Sequence, residues 1–204
     1  MSQGAVVMDG VDERKRRFLL TATVAVGGAA TVAVAWPFVA SMMPSERAKA
    51  AGAPTEVDIS RIEPGMLATF EWRGTPVWVV NRTPEMLDRL STLTELLADP
   101  QSETSIQPPY AKNPTRSIQS HAKYLIAVGV CTHLGCTPNY RREVGAADLG
   151  ADWPGGFFCP CHGSKFDMAA RVFKGVPAPT NLVIPPYQYL TDTRLIIGED
   201  SKES

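Results

Sequence analysis

The sequence predicts an all-β head domain with one helical insertion, carried on a single N-terminal transmembrane helix. Three observations predict this fold. Residues 18–40 are an uncharged apolar run, and most of the remaining chain consists of short β-branched or aromatic segments between turn residues. Residues 83–98 differ, because their apolar side chains recur at helical spacing. The 204 residues leave room for one domain of ordinary size and an anchor.

The predicted anchor is the 23-residue run at 18–40. At about 1.5 Å per residue it is long enough to cross roughly 30 Å of hydrocarbon. Basic residues at 14–17 precede it, so the positive-inside bias predicts a cytoplasmic tail at 1–17. Arg16-Arg17-Phe18-Leu19 is typical of a twin-arginine export signal, in a slightly irregular form. A cleaved signal peptide is the alternative, but its apolar core would span only about 7–15 residues.

Residues 41–55 are predicted to be a flexible hinge linker, because they are small and polar and contain Pro44, Gly52 and Pro54. The head domain then covers residues 56–204. Its helix at 83–98 should begin with Thr83 as N-cap and Pro84 at the first position. Strands are predicted at residues 57–62, 66–70, 77–80, 124–130, 171–173, 182–184, 187–189 and 194–197.

The composition excludes a nucleic-acid-binding protein. Apolar residues make up 44% of the chain, the usual share for a packed domain. The formal net charge is −1, and the sequence has no basic face with interleaved aromatic residues.

All four cysteines and two of the three histidines lie in two short motifs. These are Cys131-Thr-His133-Leu-Gly-Cys136 and Cys159-Pro-Cys161-His162-Gly-Ser164. Each motif offers one Cys and one His at the spacing of paired metal ligands, together with one further Cys. Two Cys and two His on two loops suit a 2Fe–2S centre in which two His replace two Cys on one iron.

Three other kinds of site could use the same residues. Zinc also takes two Cys and two His, but structural zinc motifs usually pair Cys with Cys and His with His, whereas each motif here is mixed. A domain stapled only by disulfides would leave both histidines unexplained. A catalytic Cys–His pair would not need four cysteines.

The two motifs resemble those of the Rieske iron–sulfur subunit of the bacterial cytochrome bc complex, ubiquinol–cytochrome c reductase. The resemblance extends to Gly175-Val-Pro-Ala-Pro179, which is similar to the family's proline-containing loop over the cluster, and to the anchor and the region at 72–81. It implies a Rieske head with cluster-binding loops at about 131–136 and 159–166. By position, Cys131 and Cys159 would bind the buried iron, and His133 and His162 the outer one.

The resemblance also assigns roles to the other residues of the motifs. It implies a disulfide between Cys136 and Cys161, and a Ser164 hydroxyl that donates to a bridging sulfide. Leu134 is expected either to cover the cluster and contact the quinone pocket or to be an ordinary packing residue. One position departs from the family pattern, because Phe166 stands where the family often has Tyr. Losing that hydroxyl donor to a ligand sulfur should lower the reduction potential.

The implied function is electron transfer from ubiquinol to a c-type cytochrome through one Rieske 2Fe–2S cluster. Neutral imidazole ligands place the potential of such a cluster between about −150 and +300 mV. His133 and His162 are the expected catalytic residues, because their ring nitrogens can take the quinol proton while the iron takes the electron. The implied partners are ubiquinol, the membrane, and the cytochrome b and c-type cytochrome subunits of a dimeric bc complex. The head is then expected in the periplasm, anchored in the bacterial inner membrane.

Two other functional classes contain a similar centre. A Rieske ferredoxin or oxygenase component would lack the second cysteine pair and the anchor. The small Rieske subunit of an arsenite oxidase-like enzyme would share the twin-arginine signal, but the insertion at 83–98 and the hinge favour the quinol enzyme. The third histidine, His121, has no partner at ligand spacing and is expected to be structural.

Overall fold

A computed structural model describes residues 10, 12–45 and 52–200 of the chain. The chain divides into two compact units, at 1–49 and 50–204, and each is described by itself. Much of the predicted tail at 1–17 and of the predicted hinge at 41–55 lies outside the described residues.

The described residues of the N-terminal unit form one α-helix, α1, at Glu13–Ser41. The Asp12 side chain caps it by accepting hydrogen bonds from the backbone N–H groups of Arg14 and Lys15, at 3.0 and 3.2 Å. The helix starts before the predicted anchor, because this cap lies ahead of the basic residues. By length and composition it could cross a membrane.

Between residues 52 and 200, the head unit is built from three antiparallel sheets of three strands each, so the prediction of an all-β head is confirmed. Their orders are β1-β9-β8, β2-β3-β4 and β5-β6-β7. The strands are β1 (Thr55–Asp58), β2 (Leu67–Trp72), β3 (Thr75–Asn81), β4 (Tyr124–Val128), β5 (Asn139–Arg141), β6 (Gly156–Phe158), β7 (Lys165–Phe166), β8 (Tyr187–Thr191) and β9 (Arg194–Ile197).

The central sheet, β2-β3-β4, delivers the chain to the first cysteine motif. Arg73 and Gly74 form the two-residue turn between β2 and β3, and both have positive φ angles, 53° and 71°. Such a turn matches the twist of the two strands that it joins. A side chain at Gly129, just after β4, would meet the Trp78 ring at 2.3 Å, so only glycine fits where the chain leaves the sheet.

The predicted helical insertion is confirmed but shorter than expected. Helix α2 covers Pro84–Thr92, with Pro84 in its first turn and Thr83 as N-cap, as predicted. Its buried residues Met86 and Leu90 pack on Met168 and Ala169. The helix does not reach residue 98, because the chain becomes extended at Leu97, which pairs with Phe173 in an isolated β-bridge.

Two predicted strands are wrong. Residues 171–173 make only isolated bridges, Phe166 with Val172 and Leu97 with Phe173. Residues 182–184 are not a strand either, because their backbone groups bond to three separate segments: the N–H of Leu182 donates to Ala170, the carbonyl of Val183 accepts from Val128, and the N–H of Ile184 donates to Ile106. Such contacts cannot form a ladder. In turn, the short strands β5, β6 and β7 were not predicted.

Candidate metal centre

The two cysteine motifs form two loops beside the small sheet β5-β6-β7. The first loop, at 131–136, connects β4 to β5, and the second, at 159–164, connects β6 to β7. Because β6 pairs with both β5 and β7, the sheet brings the two loops side by side.

The two loops share one backbone arrangement. In the first, the Cys131 N–H donates to the Cys136 carbonyl at 2.7 Å and the Gly135 N–H to the Cys131 carbonyl at 3.0 Å. In the second, the Cys159 N–H donates to the Ser164 carbonyl at 2.8 Å and the Gly163 N–H to the Cys159 carbonyl at 2.9 Å. Gly135 and Gly163 have φ of 83° and 79°, a conformation that favours glycine. Each loop is thus a tight turn that begins at a cysteine.

A disulfide joins Cys136 in the first loop to Cys161 in the second, as the resemblance implied. Its sulfurs are 2.07 Å apart and its Cα atoms 6.6 Å apart. The Cys159 sulfur lies within 4.8 Å of both of these sulfurs. Since a bonded disulfide has no thiolate to offer, Cys136 and Cys161 cannot be metal ligands in this state.

Cys131 and Cys159 are the two free cysteines, and both are buried. Burial raises the pKa of the Cys131 thiol, and the adjacent Cys159 thiol raises it further, although the His133 backbone N–H and the Ser164 hydroxyl partly lower it. The Cys131 thiol therefore resists becoming a thiolate unless a positive charge lies beside it. A bound metal supplies that charge, so the pair fits a metal centre.

The histidines of the two loops lie next to each other at the surface. The ring centroids of His133 and His162 are 4.8 Å apart, with the planes at 88°. The His162 side chain is exposed and His133 is partly exposed, in contrast to the buried thiols. The four side chains thus combine two sulfur and two nitrogen donors, which suits a 2Fe–2S centre with mixed ligands.

Ser164 connects this donor set to the proline-containing loop at 175–179. Its side chain is fully buried, and its Oγ accepts a hydrogen bond from the Ala178 N–H at 3.0 Å. Because the oxygen accepts from Ala178, the hydroxyl proton is free to point at sulfur, and it contacts the Cys131 thiol. The serine can therefore donate to sulfur at the metal centre.

Two further motif residues differ in their exposure. Leu134 is 71% exposed, so in this chain it is not an ordinary packing residue. Phe166 is fully buried in β7, opposite Phe157 in β6. A tyrosine at that position would place its hydroxyl inside the domain, where it needs an acceptor.

His121 packs beside strand β8. Its ring stacks on Tyr189 at 4.0 Å, and its Nε2 is 3.5 Å from Asp192. A structural role, as predicted, agrees with these contacts.

Sequence reasoning missed several buried polar residues that hydrogen-bond to the chain after the second loop, at 168–182. Arg82 and Arg116 are 2% and 0% exposed, and burial lowers the pKa of each to about 10. Arg82 donates to the Met168 carbonyl at 3.1 Å, and Arg116 to the Leu182 carbonyl at 2.8 Å. Asn181 is also fully buried. No motif marks these residues, because their burial exists only in the folded chain.

Comparison with known proteins gives the same picture. The family model "Rieske 2Fe–2S domain" matches residues 113–188, which implies one 2Fe–2S cluster in the head. The model "Ubiquitinol-cytochrome C reductase Fe-S subunit TAT signal" matches residues 8–45.

Curated relatives match nearly the whole chain. The iron–sulfur subunit of ubiquinol-cytochrome c reductase from Allochromatium vinosum is 61% identical, over 94% of this chain and 91% of its own. The subunits of the same name from Blastochloris viridis and Rhodospirillum rubrum are 40% and 41% identical, over 93% of this chain and 96% and 94% of theirs. These relatives do not support the arsenite oxidase alternative. The chain therefore belongs to the family of iron–sulfur subunits of ubiquinol-cytochrome c reductase, the redox components of the cytochrome bc complex.

Proposed function

We propose that this chain carries electrons from ubiquinol to a c-type cytochrome, through a 2Fe–2S cluster bound by two cysteines and two histidines. The observation that carries the proposal is the division of the donor set between the interior and the surface. The thiols of Cys131 and Cys159 are buried, whereas the rings of His133 and His162 stand together in exposed loops. Exposed ligands let an electron donor and an electron acceptor approach the metal in turn. The names of the relatives support ubiquinol as the donor and cytochrome c as the acceptor.

In this proposal Cys131 and Cys159 bind the inner iron, and His133 and His162 bind the outer iron. When bound, the cluster supplies a centre that takes up and releases one electron. The Cys136–Cys161 disulfide keeps the two loops in register. The Ser164 hydroxyl donates to sulfur and so favours the reduced, more negative state.

The ring nitrogens that face away from the metal would meet the quinol. When such a nitrogen of His133 or His162 carries no proton of its own, it can accept a hydrogen bond from a quinol hydroxyl, and the ring then takes up the quinol proton as the electron leaves. Leu134 follows His133 in the first loop, and its side chain is exposed. This apolar side chain would keep water away from the contact between the histidine and the quinol. A quinone ring and tail are apolar, so the leucine also offers them a matching surface.

The proposal extends to how the chain is placed in the cell. Residues 18–40 would span the bacterial inner membrane, with residues 1–17 in the cytoplasm and the head, at 56–204, in the periplasm. The basic residues at 14–17 and the match to a twin-arginine signal support this orientation. Residues 41–55 would act as a hinge that lets the head reach first the quinol site and then the cytochrome. The partners would be the cytochrome b and c-type cytochrome subunits of a dimeric complex.

The ligand assignment is tested by substitution of each ligand in the full-length chain. Replacing Cys131, His133, Cys159 or His162 should abolish the electron paramagnetic resonance signal of the reduced cluster. An unaltered signal in a purified variant would remove that residue from the ligand set.

The quinol reaction is tested in the assembled complex by stopped-flow reduction of the cluster with ubiquinol. Leu134→Ala should slow this reduction and leave thermal stability unchanged, because the side chain is 71% exposed. Leu190→Ala is the matched control, since Leu190 is also an exposed leucine, at 49%, but lies on β8. Equal rates for wild type and Leu134→Ala would contradict the role of this leucine. Failure of ubiquinol to reduce the wild-type cluster would contradict the proposed function.

A further inference from the structure

The segment at 173–180 carries the N–H group that contacts Ser164, yet it contains no regular secondary structure. Its base is closed by one side chain. The Oδ1 atom of Asn181 accepts a hydrogen bond from the Val172 N–H at 2.8 Å, across the two ends of the segment. Asn181 is fully buried, so this contact is shielded from water.

The same asparagine fastens the base of the segment to the chain that follows α2. Its Nδ2 donates to the Asp99 carbonyl at 2.9 Å and to the Ser102 Oγ at 3.0 Å. Its backbone N–H donates to the Ser105 Oγ at 3.0 Å. These contacts use both polar atoms of the side-chain amide and the backbone N–H.

The loop at residues 99–105, which accepts these hydrogen bonds from Asn181, is organised by the Asp99 carboxylate. Asp99 accepts from the Glu103 N–H at 2.7 Å, from the Thr104 N–H and hydroxyl at 3.2 and 3.1 Å, and from the Ser105 hydroxyl at 2.6 Å. Burial alone would raise the pKa of Asp99, but these hydrogen bonds outweigh it and lower the pKa. The carboxylate therefore stays charged at neutral pH and holds Ser105 toward Asn181.

We propose that Asn181 is a positioning residue for the metal centre. By closing the base of the segment at 173–180 and fixing it to residues 99–105, it holds the Ala178 N–H against the Ser164 Oγ. That contact directs the serine proton to sulfur, so Asn181 acts on the reduction potential through Ser164. The inference rests on the proposed cluster site.

The test is a double-mutant cycle in the full-length chain, with the midpoint potential as readout. Asn181→Ala should lower the potential in the wild-type background and produce no further lowering in the Ser164→Ala background. Amide hydrogen exchange across residues 173–180 should become faster in Asn181→Ala. Asn113→Ala is the matched control, because Asn113 also organises a loop, by donating from Nδ2 to the Tyr110 and Ser117 carbonyls at 2.8 Å. This control should leave the potential unchanged.

Three results would overturn the inference. These are an unchanged potential in Asn181→Ala, an equal shift in both backgrounds, or unchanged exchange at 173–180. If Asn181→Ala does not retain a cluster, Ser105→Ala decides by the same readouts, since it removes one hydroxyl that contacts Asn181. A Ser164→Ala potential equal to wild type would instead count against the tuning role of the serine in the proposed function, while the exchange measurement still reports on Asn181.

Discussion

Replacing Ser164 by alanine should lower the reduction potential of the cluster. The serine hydroxyl accepts from Ala178 and is free to donate to sulfur, and the reduced cluster carries the greater negative charge. A hydrogen bond to a charged group contributes about 1.5–3 kcal/mol, and part of it persists in the oxidised state. If about 1–2 kcal/mol distinguishes the two states, the shift is about 40–90 mV, because 1.4 kcal/mol corresponds to about 59 mV for one electron.

The same substitution should also destabilise the head. Without the Oγ atom, the buried Ala178 N–H loses its acceptor, which costs about 1–3 kcal/mol. Ser117→Ala is the control, because it should lower the stability of the head and leave the reduction potential unchanged. Ser117 is likewise a fully buried serine that accepts a hydrogen bond, from Arg82 Nη2 at 3.0 Å, but none of its described contacts is to a cysteine.

The assay is voltammetry of the purified chain together with its thermal unfolding. Ser164→Ala should lower both the potential and the stability, whereas Ser117→Ala should lower only the stability. A Ser164→Ala potential equal to wild type, or an equal shift in both variants, would refute the argument that this hydroxyl acts on the cluster.

Three further predictions concern the interior of the head. Phe166→Tyr should raise the potential, since its hydroxyl would be a new donor within the buried cluster that also contains Cys131 and Cys159, the proposed ligands; if voltammetry shows no rise, the hydroxyl does not reach sulfur. Cys136→Ser and Cys161→Ser should each give a cluster that is easily lost, because the loop-closing disulfide is worth roughly 2–4 kcal/mol; full occupancy by iron analysis and unchanged thermal stability in both would contradict this. Asp167→Asn should destabilise the head by about 3–5 kcal/mol in denaturant unfolding, because it leaves the buried Arg171 guanidinium, 2.7 Å from the Asp167 carboxylate, without its counter-charge. A loss below about 1 kcal/mol would show that the pair does not contribute as a buried ion pair.

Much of the candidate site could be predicted from the sequence. The motif residues lie within a few positions of one another, so their spacing reflects tight turns that the chain forms locally. The same holds for Thr83 and Pro84 at the start of α2, because capping depends on the residues of a single turn. The ligand roles of Cys131, His133, Cys159 and His162 remain predictions.

Tertiary structure decided the elements that depend on distant partners. Residues 171–173 and 182–184 have the composition of strands, but the segments beside them offer single hydrogen bonds and no ladder. The helical region predicted at 83–98 stops short of residue 98, because Leu97 is extended and pairs with Phe173, 76 positions further along the chain.

The sequence by itself determined the apolar N-terminal helix, the two-loop motif and the chemistry of its side chains, since each depends on composition or on spacing within a short segment. Only the tertiary structure decided that Asn181 closes the base of the segment at 173–180 and that Ser164 contacts the Ala178 N–H within it. Hydrogen bonds such as that from the Ala178 N–H to Ser164 join residues that no local pattern relates, and their strength depends on burial, which exists only once the head has folded.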